Sequence, residues 1–199
     1  MNFFTRILTG ACCSLICLSA ANAENYDKNK IGTFLSNFTE CDYLNITREE
    51  MTENRDILVS FAMCHLDINA PKQFKDVSDC DKHPKECSYG DKKISDKAVA
   101  KVIKRYLAYD FNDFQPTDFH QYRNNYFYMS YGAKELLYAA VVKNIYALSN
   151  GNLKVTAALY NTVTEKKPSE DAVTITAEIK PYVWDGKKTW SLVSIKTND

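Results

Sequence analysis

The segment GAKELLYAAVVKNIYALSNGN, residues 132–152, decides the fold of the second half of the chain. Its apolar residues fit one face of a helix, but Asn150-Gly151 between two apolar runs is also the strongest short signal of a β-hairpin. A two-residue turn at this dipeptide pairs Tyr146 with Val155 and collects most of the apolar side chains on one face. The sequence therefore predicts two antiparallel strands here, with a helix over 133–149 as the alternative.

The segments on either side of this hairpin also have the pattern of strands. The run AVTITAEIKPYVW, residues 172–184, alternates apolar and polar residues, as a half-buried strand does. Asp185-Gly186 predicts a tight turn, after which KTWSLVSIKT returns as a partner strand. NYFYMSY, residues 125–131, predicts one strand more. Together these segments predict an antiparallel meander of four or five strands.

The preceding part of the chain has the periodicity of helices. Thr47 and Glu50 form a capping-box pattern that opens a second helix, REEMTENRDILVSFAMCHL, and Ser95 caps a third. His65 falls on the apolar face of the second helix, where a hydrogen-bonded core histidine is expected. The first helix has four apolar residues at i, i+3, i+4 and i+7, namely Ile31, Phe34, Leu35 and Phe38. The expected fold is α+β, with about three N-terminal helices packed on a C-terminal curved antiparallel sheet.

The N-terminal segment 1–23 has the features of a secretory signal peptide. Arg6 precedes an apolar run of about 14 residues, and small residues stand at Ala21 and Ala23. The run is too short to span a bilayer as a helix, for which about 20 residues are needed. We therefore predict an exported protein, secreted or periplasmic, in which residues 24–199 form a single α+β domain without a membrane span.

Four of the seven cysteines remain after removal of the signal peptide. In an oxidising compartment an even number of cysteines indicates disulfides. The spacing in CDKHPKEC does not match the paired ligands of a zinc site, so we predict neither a metal nor another cofactor. Three pairings are possible, and we favour one bridge between Cys41 and Cys64 and another between Cys80 and Cys87.

The charge balance excludes one class of partner. The segment 24–199 holds 24 basic and 25 acidic residues, which gives a net charge of −1. It has no long basic run, so the electrostatic pattern of nucleic-acid binding is missing. The expected partner is an unknown small molecule or protein.

The candidate site lies in an aromatic-rich segment between Tyr106 and Tyr131, where polar side chains stand among the rings. One hypothesis is a ligand pocket lined by these rings, and the alternative is that the rings fill the space between helices and sheet. Asp118 and His120 are also candidates for an acid–base pair, because residues two apart on a strand share a face. The possible ligand-binding residues are Tyr109, Phe111, Asp118, His120, Tyr122, Tyr126 and Tyr128.

The C-terminal sequence DGKKTWSLVSI, with Gly186, Lys188 and Trp190, resembles the last hairpin of the NTF2-like (cystatin-like) α+β domains of exported bacterial proteins. The resemblance implies helices and a curved sheet around a cone-shaped pocket, in a superfamily that includes enzymes, ligand binders and interaction modules. The function hypothesis is a non-catalytic module that binds a ligand or a protein. The alternatives are a small hydrolase or isomerase that uses the Asp-x-His pair, and a structural role in which the sheet dimerises.

Overall fold

The computed structural model describes residues 26–77, 84–130 and 137–198. Within these ranges the chain is α+β, as predicted, and the long helices precede the four long strands of the main sheet. A 3-10 turn, Pro71–Gln73, follows the third helix. The helices are α1 (Lys28–Thr39), α2 (Arg48–Glu53), α3 (Arg55–Asn69), the short α4 (Pro84–Cys87) and α5 (Asp96–Leu107).

The strands form two antiparallel sheets. The main sheet has the order β1-β9-β8-β7-β6, so that its last four strands form the predicted meander. The second sheet has the order β2-β3-β5-β4. The strands are β1 (Ile46–Thr47), β2 (Lys75–Asp76), β3 (Lys92–Ser95), β4 (Tyr122–Arg123), β5 (Tyr126–Met129), β6 (Tyr138–Ala147), β7 (Leu153–Asn161), β8 (Thr174–Trp184) and β9 (Lys187–Thr197).

Capping side chains fix where the helices begin. The capping box is confirmed, since the Thr47 hydroxyl accepts from the Glu50 amide and the Glu50 carboxylate accepts from the Thr47 amide. Ser95 caps α5 as predicted. The prediction of one continuous second helix was wrong. The Asn54 side chain accepts hydrogen bonds from the backbone N–H groups of residues 56 and 57, and it thereby starts a separate helix, α3. Because Asn54 has an extended backbone and caps α3, helix α2 ends at this residue.

The hairpin β6–β7 is confirmed, but its register differs from the predicted one. Its loop has three residues, 149–151, because the Leu148 amide donates to the Asn152 carbonyl, and Gly151 takes the left-handed conformation that such a loop needs. Tyr146 therefore pairs with Lys154 and is exposed, and it does not oppose Val155. One register step moves a side chain to the other face of a sheet.

The second sheet was missed at the sequence level. NYFYMSY does contain a strand, β5, but β5 pairs with β3 and β4 and does not join the meander. β2 lies in the polar segment between the predicted second helix and the Ser95 cap of the third, and β3 ends at that cap; no strand was predicted there. The turn at Asp185-Gly186 is confirmed, because both residues have positive φ and join β8 to β9 as a two-residue hairpin.

The core lies between the long helices and the inner face of the main sheet. Phe38 and Phe61 are fully buried and stack with their ring centroids 4.7 Å apart. Cys41, which follows α1, forms a disulfide with Cys64 of α3, so the predicted bridge is confirmed. Cys87 is also disulfide-bonded, whereas Cys80 lies outside the described residues and its predicted pairing stays a prediction. Across the described ranges no helix is long and apolar enough to cross a membrane.

Helix α1 covers the free edge of β6. The Ala140 amide donates to the Ser36 hydroxyl at 2.9 Å, and the Thr39 hydroxyl donates to the Tyr138 carbonyl. The Lys28 ammonium donates to the Lys143 carbonyl at 2.7 Å. Side chains of α1 thus satisfy backbone groups that an edge strand otherwise leaves open to another chain.

Gly32 allows α1 to lie this close to the strand. A Cβ at this position would stand 2.7 Å from the backbone oxygen of Ala140, which cannot swing away as a flexible side chain does. We expect Gly32→Ala to lower the free energy of unfolding by about 1–2 kcal/mol, since the overpacking exceeds the gain in helix propensity. Urea unfolding measures this change. The neighbouring exposed substitution Thr33→Ala should stay within about 0.5 kcal/mol of wild type, and equal effects of the two would contradict the contact.

Candidate functional site

A cleft of about 740 Å³ opens between the helices and the far end of the β8–β9 hairpin. This volume is within the range of small-molecule pockets, about 300–1,000 Å³. Three helices and one hairpin form its walls, and each wall contributes four or five residues. The sheet supports the hairpin wall, and the core lies beneath the helical walls.

Helices α1 and α5 present one face each to the cleft. The α5 residues follow the spacing of a single helical face, so the same helix buries Val99 and Ile103 in the core and turns other residues toward the opening. The wall of α1 consists of Asn29, Lys30, Thr33, Phe34 and Asn37, and the wall of α5 consists of Ala98, Lys101, Val102, Arg105 and Tyr106.

The other two walls are the end of α3 with the residues that follow it and the β8–β9 turn region. Trp184 and Trp190, the two tryptophans of the chain, both lie in the hairpin wall. Both tryptophan fluorophores therefore lie beside the cleft. The α3 wall consists of His65, Leu66, Asn69, Ala70 and Gln73, and the hairpin wall is completed by Lys188 and Thr189.

Aromatic rings form the floor of the cleft. The Phe34 ring stacks on Tyr106 with centroids 5.8 Å apart and lies 6.1 Å from the ring of Trp190. His65 is buried against Tyr106 at 4.8 Å, and its Nδ1 atom lies 3.3 Å from the Asn69 amide nitrogen. His65 is thus the hydrogen-bonded core histidine expected from its helix face. The Asn37 amide donates to the Thr33 carbonyl at 2.6 Å, which holds this side chain in place.

Basic side chains form the rim. Lys30, Lys101, Arg105 and Lys188 are all exposed at the mouth of the cleft. Arg105 extends over the Tyr106 ring at 5.0 Å. Burial raises the pKa of Tyr106, and the Arg105 charge offsets part of that rise, so this tyrosine is a neutral hydroxyl at physiological pH. The rim and floor together present positive charge above apolar rings.

The aromatic segment predicted to bind ligand packs mostly away from the cleft, and of its described residues, 106–130, only Tyr106 lines a wall. Phe111 is buried and packs edge-on against Phe114, which in turn stacks on Tyr122. The Tyr122 hydroxyl donates to Asp96, and burial raises its pKa. Tyr109 packs against the same core. These contacts support the alternative that the rings fill the space beneath the helices.

Two further tyrosines of the predicted set lie on the second sheet. Tyr126 stands beneath Lys75 and Lys93, whose ammonium groups are 5.4 and 5.5 Å from its ring centroid. Tyr128 is buried and meets Tyr89 edge-on at 5.5 Å. These residues stabilise the small sheet, and their ligand binding stays a prediction.

The predicted Asp118–His120 pair lies in the loop before β4, outside the cleft. The His120 Nδ1 atom lies 3.3 Å from the Tyr128 carbonyl oxygen, and Asp118 is an exposed residue whose amide donates to the Asp56 carboxylate. Burial lowers the pKa of His120, although the Tyr128 carbonyl and the Asp56 charge partly oppose this shift. The imidazole is oriented by a backbone carbonyl, and in this geometry the nearby carboxylate belongs to Asp56.

Among the residues with described positions, no cluster of three or more His, Cys, Asp or Glu side chains has the arrangement of a metal centre. His83, between the two cysteines of CDKHPKEC, lies outside those positions. The cleft itself offers nitrogen and hydroxyl donors and aromatic faces.

Comparison of the chain with protein-family models, with curated proteins and with solved structures found no match.

Proposed function

We propose that this protein is an exported, disulfide-bonded binding module whose ligand site is the cleft between α1, α3, α5 and the β8–β9 hairpin. The single observation that carries the proposal is the cleft itself, which combines an aromatic floor with a volume suited to a small molecule. The signal-peptide pattern and the Cys41–Cys64 bridge support export.

The construction of the walls supports binding in a preformed site. The disulfide joins α1 to α3, which are two of the three helical walls, and the Phe38–Phe61 stack fills the space between them. His65 and Asn37 on the floor already have hydrogen-bond partners within their own helices. A site that needs little rearrangement loses less entropy when it binds.

The NTF2-like resemblance supports the same position for the site. That resemblance implies a pocket enclosed by helices and a curved sheet, and the cleft lies between three helices and the β8–β9 hairpin, whose strand β9 contains Lys188 and Trp190. The four-stranded second sheet is an addition to what the resemblance implies. We propose the NTF2-like assignment on this basis.

A titration with 8-anilinonaphthalene-1-sulfonate tests whether the cleft is the ligand site. Binding should quench the fluorescence of Trp184 and Trp190 by energy transfer. The variant Ala98→Phe places a phenyl ring inside the cleft and should weaken binding by roughly tenfold or more. Ala147→Phe introduces the same side chain on an exposed strand position outside the cleft and should leave the affinity within about twofold of wild type. Equal affinities in the two variants would refute the proposal.

A further inference from the structure

We infer that the ligand of the cleft is a small organic anion, with a planar and largely apolar body and a carboxylate, sulfonate or phosphate group. This inference rests on the proposal that the cleft is the ligand site, and it adds the chemical class of the molecule bound. Three properties of the lining residues lead to it: the sign of their charge, the scarcity of competing ion pairs and the geometry of the rings.

The first property is the concentration of positive charge. Lys30, Lys101, Arg105 and Lys188 reach the mouth from three different elements, and among the described residues no Asp or Glu lines the cleft. The chain as a whole has 25 basic and 25 acidic residues, so this excess is local to the cleft and does not reflect a basic protein. A concave surface with charges of one sign concentrates ligands of the opposite sign.

The second property is that three of these four cations form no ion pair with a carboxylate of the described residues. Lys30 pairs with Asp27 at 3.2 Å, which also caps α1. For Lys101, Arg105 and Lys188, no carboxylate oxygen lies within 4.0 Å in the described part of the chain. These three residues line one cleft with charges of the same sign, and a bound anion offsets their mutual repulsion.

The third property is the set of ring faces below the charges. The Phe34 centroid lies 5.8 Å from that of Tyr106 and 6.1 Å from that of Trp190. Phe34 and Tyr106 are buried, whereas Trp184 and Trp190 are half-buried and line the cleft with part of their ring surface exposed. Aromatic faces accept a flat apolar body by stacking. Such rings also attract organic cations, but the four basic groups at the mouth oppose a positively charged ligand. An anion with a planar body complements both parts of the cleft, because its charge matches the basic rim and its flat body matches the aromatic floor.

Two probes with the same aromatic skeleton test this assignment. 8-Anilinonaphthalene-1-sulfonate and N-phenyl-1-naphthylamine differ in the sulfonate group alone. The full-length mature protein should bind the sulfonate roughly tenfold more tightly or better. Raising sodium chloride from about 20 mM to about 500 mM should reduce this preference, because salt screens exposed charges.

The triple variant Lys101→Gln/Arg105→Gln/Lys188→Gln should remove the preference, with the affinity for the neutral probe unchanged within about twofold. The matched control is Lys154→Gln/Lys166→Gln/Lys196→Gln, which removes the same charge from exposed positions outside the cleft and should keep the preference. Equal binding of the two probes by wild type, or a preference that survives the cleft variant, would overturn the assignment of an anion. Either result leaves the cleft as the ligand site if Ala98→Phe still blocks binding, so the two proposals fail separately.

Discussion

Replacing Phe61 by alanine is expected to lower the free energy of unfolding by about 3–5 kcal/mol. Phe61 is fully buried, stacks on Phe38 at 4.7 Å, and meets Tyr43 and Tyr106 edge-on at 5.7 and 6.0 Å. Removal of its ring therefore takes away contacts with two of the long helices and with the floor of the cleft. Because the free energy of unfolding of a domain is about 5–15 kcal/mol in total, this one substitution removes a large part of it.

Urea unfolding monitored by circular dichroism measures the effect. The matched control is Phe119→Ala, which removes the same ring from a side chain that is 76% exposed. We expect the control to stay within about 0.5 kcal/mol of wild type. A loss at Phe61 below about 1 kcal/mol, or a similar loss at both positions, would show that the aromatic stack is not the centre of the core.

Removal of the bridge between Cys41 and Cys64 by the double substitution Cys41→Ala/Cys64→Ala is expected to cost about 3.5 kcal/mol. The bridge closes a loop with a sequence separation of 23 residues, and its effect in the chain-entropy account is to restrict the unfolded chain. The double variant should also unfold with a larger urea m-value, because its unfolded chain exposes more surface. Both quantities come from one denaturation curve.

Reduction of wild type provides the comparison for this variant. Since Cys87 is disulfide-bonded as well, reduced wild type should lose at least as much stability as the oxidised double variant. If the double variant in oxidising buffer matches wild type in stability and m-value, the entropic account of the bridge is wrong.

Local signals in the sequence were sufficient to predict individual elements. The Thr47–Glu50 box, the Ser95 cap and the Asp185-Gly186 turn each depend on residues within a few positions of one another, and the structure contains all three. The register of β6–β7 was harder to predict, because Asn150-Gly151 fits hairpin loops of two residues and of three residues. The choice between them depends on the hydrogen bond from Leu148 to Asn152.

Pairing between distant segments could not be predicted in the same way. β3 has four residues, KKIS, with too short a pattern to identify a strand, and its partner β5 lies about 30 residues further along the chain. The cleft has the same difficulty, since its walls come from segments between Asn29 and Trp190. The spacing of Lys101 and Arg105 shows that they share a helix face, but it does not show that Lys188 and Trp190 lie opposite.

The position of α1 on β6 affects the association of one molecule with another. Ser36 contacts Ala140, and Thr39 contacts Tyr138. Without these contacts the outer edge of β6, a strand of ten residues, has unpaired backbone donors and acceptors. The covalent link from Cys41 to Cys64 keeps α1 near its place even when the helix loosens. Formation of this disulfide therefore shortens the time for which the edge of β6 is exposed. During that time a strand of another molecule can pair with it and start a polymer.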